Sequence, residues 1–173
     1  NFTSKMNITF EEIKPDFLES EKIVQSEIWN KTISVAKAEK IQIIAPSGNG
    51  KTSLIHFLYG LRNDYSGNIF FGKANIETLD TESLSTFRSE TCSIIFQDLR
   101  LFPEHTAFEN INVKRLLNPF HSEQRIKEMA SKLGIENKLT RLARTCSYGE
   151  QQRIAIIRAL QQPFDFLLLD EPF

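Results

Sequence analysis

The sequence is poor in three features, and each absence excludes a class of protein. It has two cysteines, Cys92 and Cys146, in 173 residues. The distance between them fits no metal-binding pattern, so we interpret both as buried, small apolar side chains of a reduced intracellular protein. The formal net charge is only −1, which argues against a protein that binds nucleic acid through a general basic field.

Long apolar stretches are also missing. No segment approaches the roughly 18 apolar residues that a membrane-crossing helix needs. The N-terminus has no basic segment followed by an apolar core, so no secretory signal is predicted. The best apolar runs, at 41–45, 93–96 and 164–169, have the length of strands. We therefore expect the chain to stay outside the lipid.

The remaining composition is that of an ordinary globular domain. Hydrophobic residues make up 40% and charged residues 25% of the chain, and this length can bury a substantial core. We predict one domain over 1–173, with a core formed by 1–103 and 149–173 and an inserted helical subdomain at 104–148. Strands are predicted at 7–13, 33–35, 40–45, 68–71, 92–96 and 164–169. A loop followed by a helix is predicted at about 46–60, and further helices are predicted at 80–88, within 104–145 and at 151–161.

This order of elements indicates an α/β fold with a mainly parallel central sheet. The segments at 40–45 and 164–169 are apolar enough to be buried on both faces, as strands of parallel sheets are. The segment at 7–13 alternates and is expected to be half-exposed, in an antiparallel β portion near the N-terminus. In such folds the ligand binds at the carboxyl ends of the parallel strands.

A few side chains allow local predictions. Trp29 is predicted to pack in the core, with stacking on a base as the alternative. Thr106 and Glu109 have the spacing of a capping box. One helical face is predicted to be apolar: Ile126, Met129, Ala130 and Leu133.

A glycine-rich segment at 45–52 follows a predicted strand and opens a predicted helix. It reads Ala-Pro-Ser-Gly-Asn-Gly-Lys-Thr, the pattern of a phosphate-binding loop. The glycines allow a backbone that aims several N–H groups at an anion, and the helix N-terminus adds its dipole. Lys51 supplies a cation to the β- and γ-phosphates, and the Thr52 hydroxyl can coordinate Mg²⁺. The residues predicted to bind the nucleotide here are Ser47, Gly48, Asn49, Gly50, Lys51, Thr52 and Ser53.

The loop departs from the usual pattern at one place, because Ala45 stands where glycine normally opens it. Alanine is small enough if its backbone stays in a region that L-residues adopt. The alternative interpretation is a glycine-rich turn that merely follows a buried strand.

The run at 164–169 ends in two acids, Asp170 and Glu171. A nucleoside triphosphatase with a phosphate loop carries such an acidic strand end. Asp170 would hold Mg²⁺, and Glu171 would orient or deprotonate the attacking water. The alternative is a buried strand that exits into solvent.

The segment at 146–153 reads Cys-Ser-Tyr-Gly-Glu-Gln-Gln-Arg and precedes an apolar helix. It resembles the signature of ABC transporter ATPases, commonly Leu-Ser-Gly-Gly followed by Gln or Glu. Ser147, Gly149 and Glu150 match, whereas Cys146 and Tyr148 replace the usual leucine and first glycine. Its Glu-Gln-Gln-Arg ending is similar to that of lipoprotein-release, macrolide-export and cell-division members. Gln97 falls where the family keeps its Q-loop glutamine.

The resemblance covers most of the chain and implies a mechanism. ATP would be sandwiched in a head-to-tail pair of ATPase subunits, with Ser147 and Gly149 of one subunit meeting the γ-phosphate held by the other. Gln97 would be a metal ligand and catalytic residue that links nucleotide state to transmembrane permease subunits. Lys51 and Glu171 complete the catalytic set. The implied location is the cytoplasmic face of a membrane, with no nucleic-acid partner.

Other segments of the family have no counterpart here. The chain ends at Phe173, before the family's D-loop and H-loop histidine, so we expect it to be incomplete and by itself a poor ATPase. His56, His105 and His121 lie too early to be that histidine. For the aromatic side chain that stacks on adenine, Phe10 and Phe17 are the candidates.

Two other functions stay open. One is a soluble ABC-type ATPase acting on DNA or ribosomes. DNA-repair relatives usually carry a long coiled coil, for which the helical insertion is too short. The other is a nucleotide-gated module that hydrolyses weakly, which Tyr148 and the missing histidine segment would favour.

Overall fold

The computed structural model describes residues 7–36 and 38–171. It divides into two compact units, Asn1–Arg88 and Ser89–Phe173, and each is described by itself. Among the residues described, no helix has the length and apolar character needed to cross a bilayer.

The first unit is built on a four-stranded antiparallel sheet with strand order β2-β1-β3-β4. The strands are β1 (Ile8–Pro15), β2 (Thr32–Val35), β3 (Tyr65–Phe71) and β4 (Ala74–Asn75). Its helices are α1 (Ser20–Gln25), α2 (Lys51–Leu58) and α3 (Thr81–Thr86), and α3 runs into a π-helical turn at Phe87–Thr91. The predicted antiparallel portion and the strands at 7–13, 33–35 and 68–71 are confirmed.

Apolar side chains of β1, α2 and β3 form the core of this unit. Ile13, Phe57 and Ile69 are fully buried. The Phe57 ring contacts Tyr65 with centroids 4.6 Å apart, and Trp29 meets its edge at 6.4 Å. Trp29 is only 4% exposed, so the prediction that it packs in the core is confirmed.

The prediction of a strand at 40–45 is wrong. In the described part of the chain no strand pairs with this segment, and Ile41 and Ile44 are 52% and 85% exposed. A strand is stabilised by hydrogen bonds to a neighbour and by burial of its side chains. The segment pairs with no described strand and two of its isoleucines are exposed, so its apolar composition alone does not make it a strand.

The second unit contains a parallel pair, β5 (Cys92–Ile95) and β6 (Phe166–Leu169). The register pairs Cys92 with Phe166 and Ile95 with Leu169. The strands predicted at 92–96 and 164–169 are therefore confirmed, as is burial of Cys92 and Cys146.

The helices of this unit are α4 (Ala107–Leu117), α5 (Glu123–Lys132) and α6 (Tyr148–Ala159). They surround a core that includes fully buried Ile111, Ile126 and Ile154. Both arms of the predicted capping box of Thr106 and Glu109 are present at the start of α4. The predicted apolar face of α5 is only partly buried, because Leu133 at its end is 37% exposed.

Candidate functional site

The phosphate loop of the first unit has a backbone that suits an anion. Gly48 and Gly50 have φ of 81° and 85°, a left-handed conformation that glycine adopts without steric cost. Gly50 is the N-cap of α2 and, as a glycine, has no side chain that could cap the helix. The N–H groups of the first turn carry the partial positive charge of a helix start. Ala45 is not among the residues with positive φ, so its place in the loop is unstrained.

Lys51 lies folded against the loop that precedes it. Its Nζ donates to the carbonyl oxygen of Ala45 at 2.7 Å and to that of Pro46 at 3.4 Å. Both acceptors are neutral, and a phosphate oxygen is a charged acceptor that binds an ammonium more strongly. The contacts hold the ammonium beside the loop, where an anion would meet it.

A buried tryptophan lies against the same loop. Trp29 Nε1 donates to the carbonyl oxygen of Asn49 at 3.1 Å. A Cβ built on Gly50 would lie 2.9 Å from Cζ2 of the ring, closer than ordinary carbon contacts. The sequence predicted Trp29 in the core but did not predict this contact, since nothing local indicates a partner 20 residues away.

Two further predicted residues of the loop differ in their surroundings. Thr52 is partly buried, whereas Ser53 is 8% exposed and its hydroxyl accepts a hydrogen bond from Arg62 at 3.0 Å. Arg62 also forms an ion pair with Asp64. The hydrogen bond from Arg62 lowers the pKa of Asp64 below its usual value. The Ser53 side chain is thus engaged within the first unit.

Phe10 and Phe17, the two candidates for the aromatic side chain that stacks on adenine, differ in exposure. Phe10 is 6% exposed inside β1, so its ring has no face for a base. Phe17 is 48% exposed, and the guanidinium of Arg62 lies 4.8 Å from its ring centroid. Phe17 remains the accessible candidate.

In the second unit, three predicted residues gather at the carboxyl ends of β5 and β6. Asp170 is 3% exposed, and its N–H extends the parallel ladder by donating to the carbonyl of Ile95 at 3.0 Å. Gln97 Nε2 donates to Glu171 Oε2 at 3.3 Å. Glu171 has a φ of 45°, a left-handed conformation that is uncommon for a non-glycine residue and often marks functional positions.

The loop after Gln97 is held by α6. Leu99 and Arg100 have successive positive φ values of 58° and 46°. Arg158 donates to both of their carbonyl oxygens, with 2.7 Å to that of Arg100. The Tyr148 hydroxyl lies 3.5 Å from the carbonyl oxygen of Gln97. Sequence reasoning missed Arg158, because its partners lie 58 and 59 residues away and no local pattern marks them.

Ser147 and Glu150 form a capping box at the start of α6. The Ser147 hydroxyl accepts from the N–H of Glu150 at 3.4 Å, and the Glu150 carboxylate accepts from the N–H of Ser147 at 2.7 Å. Lys138 pairs with Glu150 at 2.9 Å. The Lys138 hydrogen bond, followed by that of the Ser147 N–H, lowers the pKa of Glu150 to about 2. Ser147 is exposed, Gly149 is partly exposed, and the Tyr148 ring is 60% exposed.

The predicted metal ligands are Thr52, Gln97 and Asp170, of which the second unit contains the last two. Among the described residues no group of three His, Cys, Asp or Glu side chains could hold a metal ion. The three histidines lie elsewhere: His56 in α2, and His105 and His121 beside the rings of Phe102 and Phe120.

The sequence is similar to those of known proteins. The profile of the ABC transporter family matches residues 29–173. The lipoprotein-releasing system ATP-binding protein LolD of Syntrophotalea carbinolica is 35% identical over 143 residues, which are 81% of this chain and 63% of that protein. LolD 1 of Chlorobium chlorochromatii is 32% identical over 169 residues, or 95% of this chain and 69% of that protein. The chain thus spans about two thirds of the length of these relatives.

Solved structures share the fold. The dimeric bacterial ABC transporter cassette MJ0796 superposes with a TM-score of 0.81 at 23% identity, covering 95% of this chain and 74% of that one. A bacterial Atm1-family ABC exporter with ATP bound superposes with a TM-score of 0.76 at 22% identity, covering 98% of this chain and 30% of that one. Because the family profile covers most of the chain and LolD proteins exceed 30% identity, the chain belongs to the ABC transporter family.

Proposed function

We propose that the chain is an ATP-binding and ATP-hydrolysing domain or subunit that powers an ABC transporter. The observation that carries the proposal is the loop before α2. Its two left-handed glycines, the helix start with glycine as its N-cap, and the adjacent Lys51 ammonium suit the phosphates of a nucleotide. In domain terms, 1–103 and 149–173 form the nucleotide-binding core, and 104–148 form the helical subdomain.

When the loop binds phosphate, the Lys51 ammonium exchanges neutral hydrogen-bond acceptors for charged ones. Lys51 now donates to neutral carbonyl oxygens. When ATP binds, the ammonium turns to phosphate oxygens, whose negative charge attracts it more strongly than a neutral carbonyl oxygen does. Backbone N–H groups from Ser47 to Ser53 bind the remaining phosphate oxygens.

The second unit supplies the groups for hydrolysis. The Glu171 carboxylate takes a proton from the attacking water, and the Gln97 amide orients that carboxylate through the hydrogen bond between them. Thr52, Gln97 and Asp170 offer only oxygen ligands, the donor set that Mg²⁺ prefers, and would hold the ion. Bound Mg²⁺ neutralises phosphate charge.

The signature residues act between two ATPase subunits. The Ser147 hydroxyl and the N–H groups at the start of α6 bind the γ-phosphate held by the other subunit, since a helix N-terminus favours an anion. Closure on ATP and reopening after hydrolysis drive permease subunits in the membrane, and the chain acts at the cytoplasmic face. The names of its relatives give lipoprotein release as the transported class to test first.

ATP titration of Lys51→Ala tests this proposal. A hydrogen bond to a charged group contributes roughly 1.5–3 kcal/mol, so affinity should fall about 10- to 100-fold. Lys73→Ala is the matched control, because Lys73 is exposed in the turn between β3 and β4 and outside the loop. Equal affinity of Lys51→Ala and wild type would show that the loop is not the site.

A further inference from the structure

In the contact between Trp29 and the phosphate loop, the indole is the hydrogen-bond donor and the loop backbone is the acceptor. The indole Nε1 donates to the carbonyl oxygen of Asn49, and the ring is 4% exposed. In the 173 residues this is the single tryptophan. A buried indole N–H needs an acceptor, and here it takes one from the middle of the loop.

Peptide geometry transmits this hydrogen bond to the next N–H group. The described chain has no cis peptide bonds. In a planar trans peptide, the C=O of Asn49 and the N–H of Gly50 point in opposite directions. The indole therefore holds the carbonyl on the protein side of the loop and turns the Gly50 N–H away from it. Hydrogen bonds in series also polarise one another, which makes that N–H a better donor.

The ring also restricts which residue type can occupy the position of Gly50. The φ of 85° disfavours any L side chain, and a Cβ would lie 2.9 Å from the rigid indole. The loop thus lies directly on the ring, with no room for a side chain between them. The Trp29 ring packs in turn against buried Phe57 in an edge contact, with 6.4 Å between centroids. The ring beneath the loop is therefore held in the core.

We propose that Trp29 is a positioning residue for phosphate binding: by bonding the Asn49 carbonyl, it aims the Gly50 N–H at the phosphates. The role rests on the proposed function, because it presupposes a phosphate ligand at the loop. It is distinct from stacking on a base, since the buried ring contacts the loop backbone.

An isosteric replacement isolates the N–H from the ring. Benzothienylalanine has sulfur in place of the indole N–H, and biosynthetic substitution at the single tryptophan changes this position alone. We expect ATP affinity to fall about fivefold, the factor that corresponds to one net hydrogen bond. Tripolyphosphate, which lacks the base and sugar, should lose affinity by the same factor. A loss that is seen with ATP and absent with tripolyphosphate would overturn the role, as would unchanged affinity for both.

A measurement on the unaltered protein covers the case in which the analogue does not fold. The indole N–H gives its own ¹⁵N–¹H resonance, and tripolyphosphate should shift it because the Asn49–Gly50 peptide becomes polarised. Sodium chloride at equal ionic strength should not. A resonance that stays in place while tripolyphosphate binds would overturn the proposal.

The Lys51→Ala titration separates the two proposals. If the wild type binds ATP in a Lys51-dependent way and the analogue binds equally well, only the positioning role fails. If neither ATP nor tripolyphosphate binds the wild type, the proposed function itself fails.

Discussion

Gln97 donates its amide N–H to the carboxylate of Glu171 at 3.3 Å, across 74 residues of sequence. The parallel register explains the meeting: Ile95 pairs with Leu169, so the residue two places beyond each strand end reaches the same edge. The hydrogen bond restrains the orientation of the carboxylate, as the proposed role of Glu171 as a base for water requires.

Glu171→Gln should abolish hydrolysis while ATP binding persists. The change keeps the size of the side chain and removes the base, so turnover in the full-length protein should fall about 100-fold or more. ATP-bound dimers should then accumulate on size-exclusion chromatography. Asp165→Asn, an exposed acid at the other end of β6, is the control and should hydrolyse ATP normally. Wild-type turnover by Glu171→Gln would remove Glu171 from the water-positioning role.

Ser147→Asp should separate capping from phosphate contact. Aspartate still caps α6, so the melting temperature should stay near that of the wild type, whereas its charge repels the γ-phosphate and prevents ATP-driven dimerisation. Ser147→Ala loses the cap and should cost about 1 kcal/mol of stability. Dimerisation is read by light scattering with ATP. Should Ser147→Asp dimerise as well as the wild type, Ser147 would be a cap alone.

The Glu150 carboxylate predicts an acid-dependent loss of stability. Its folded pKa is about 2, below the ordinary value of roughly 4.3 for glutamate. The lowered pKa adds stability that is fully present above the ordinary value and lost as the pH falls through it towards about 2. Glu150→Gln keeps the capping geometry without the charge. Its melting temperature should lie below that of the wild type at pH 7 and converge with it near pH 2; a constant difference across this range would contradict the prediction.

Arg158 should stabilise the loop that follows Gln97. Arg158→Met removes two hydrogen bonds from a charged donor to the carbonyls of Leu99 and Arg100, and we expect a loss of about 2–3 kcal/mol in urea denaturation. Arg158→Lys keeps the charge without the planar guanidinium, so its stability should lie between that of the wild type and that of Arg158→Met. Arg125→Met, at an exposed ion pair with Glu128, should change stability by less than about 1 kcal/mol. An equal loss from Arg125→Met would show that removal of any arginine has this effect.

Features that depend on neighbouring residues could be predicted from the sequence. The capping boxes at Thr106 and Ser147 need only a partner three residues away, and both are present. The loop glycines, Gly48 and Gly50, have the left-handed backbone that their residue type allows. Alternating apolar residues likewise identified β1, because burial on one face has period two.

Features that depend on distant partners were decided by the tertiary structure. The apolar segment at 40–45 is not a strand, since pairing requires a neighbour that composition does not specify. The hydrogen bond of Trp29 to Asn49 and the hold of Arg158 on Leu99 join residues 20 and 59 places apart. No period or motif encodes such contacts, because they follow from how helices and strands pack. The sequence therefore predicted the chemistry that we propose for the loop and the strand ends, whereas only the tertiary structure identified the contacts of Trp29 and Arg158.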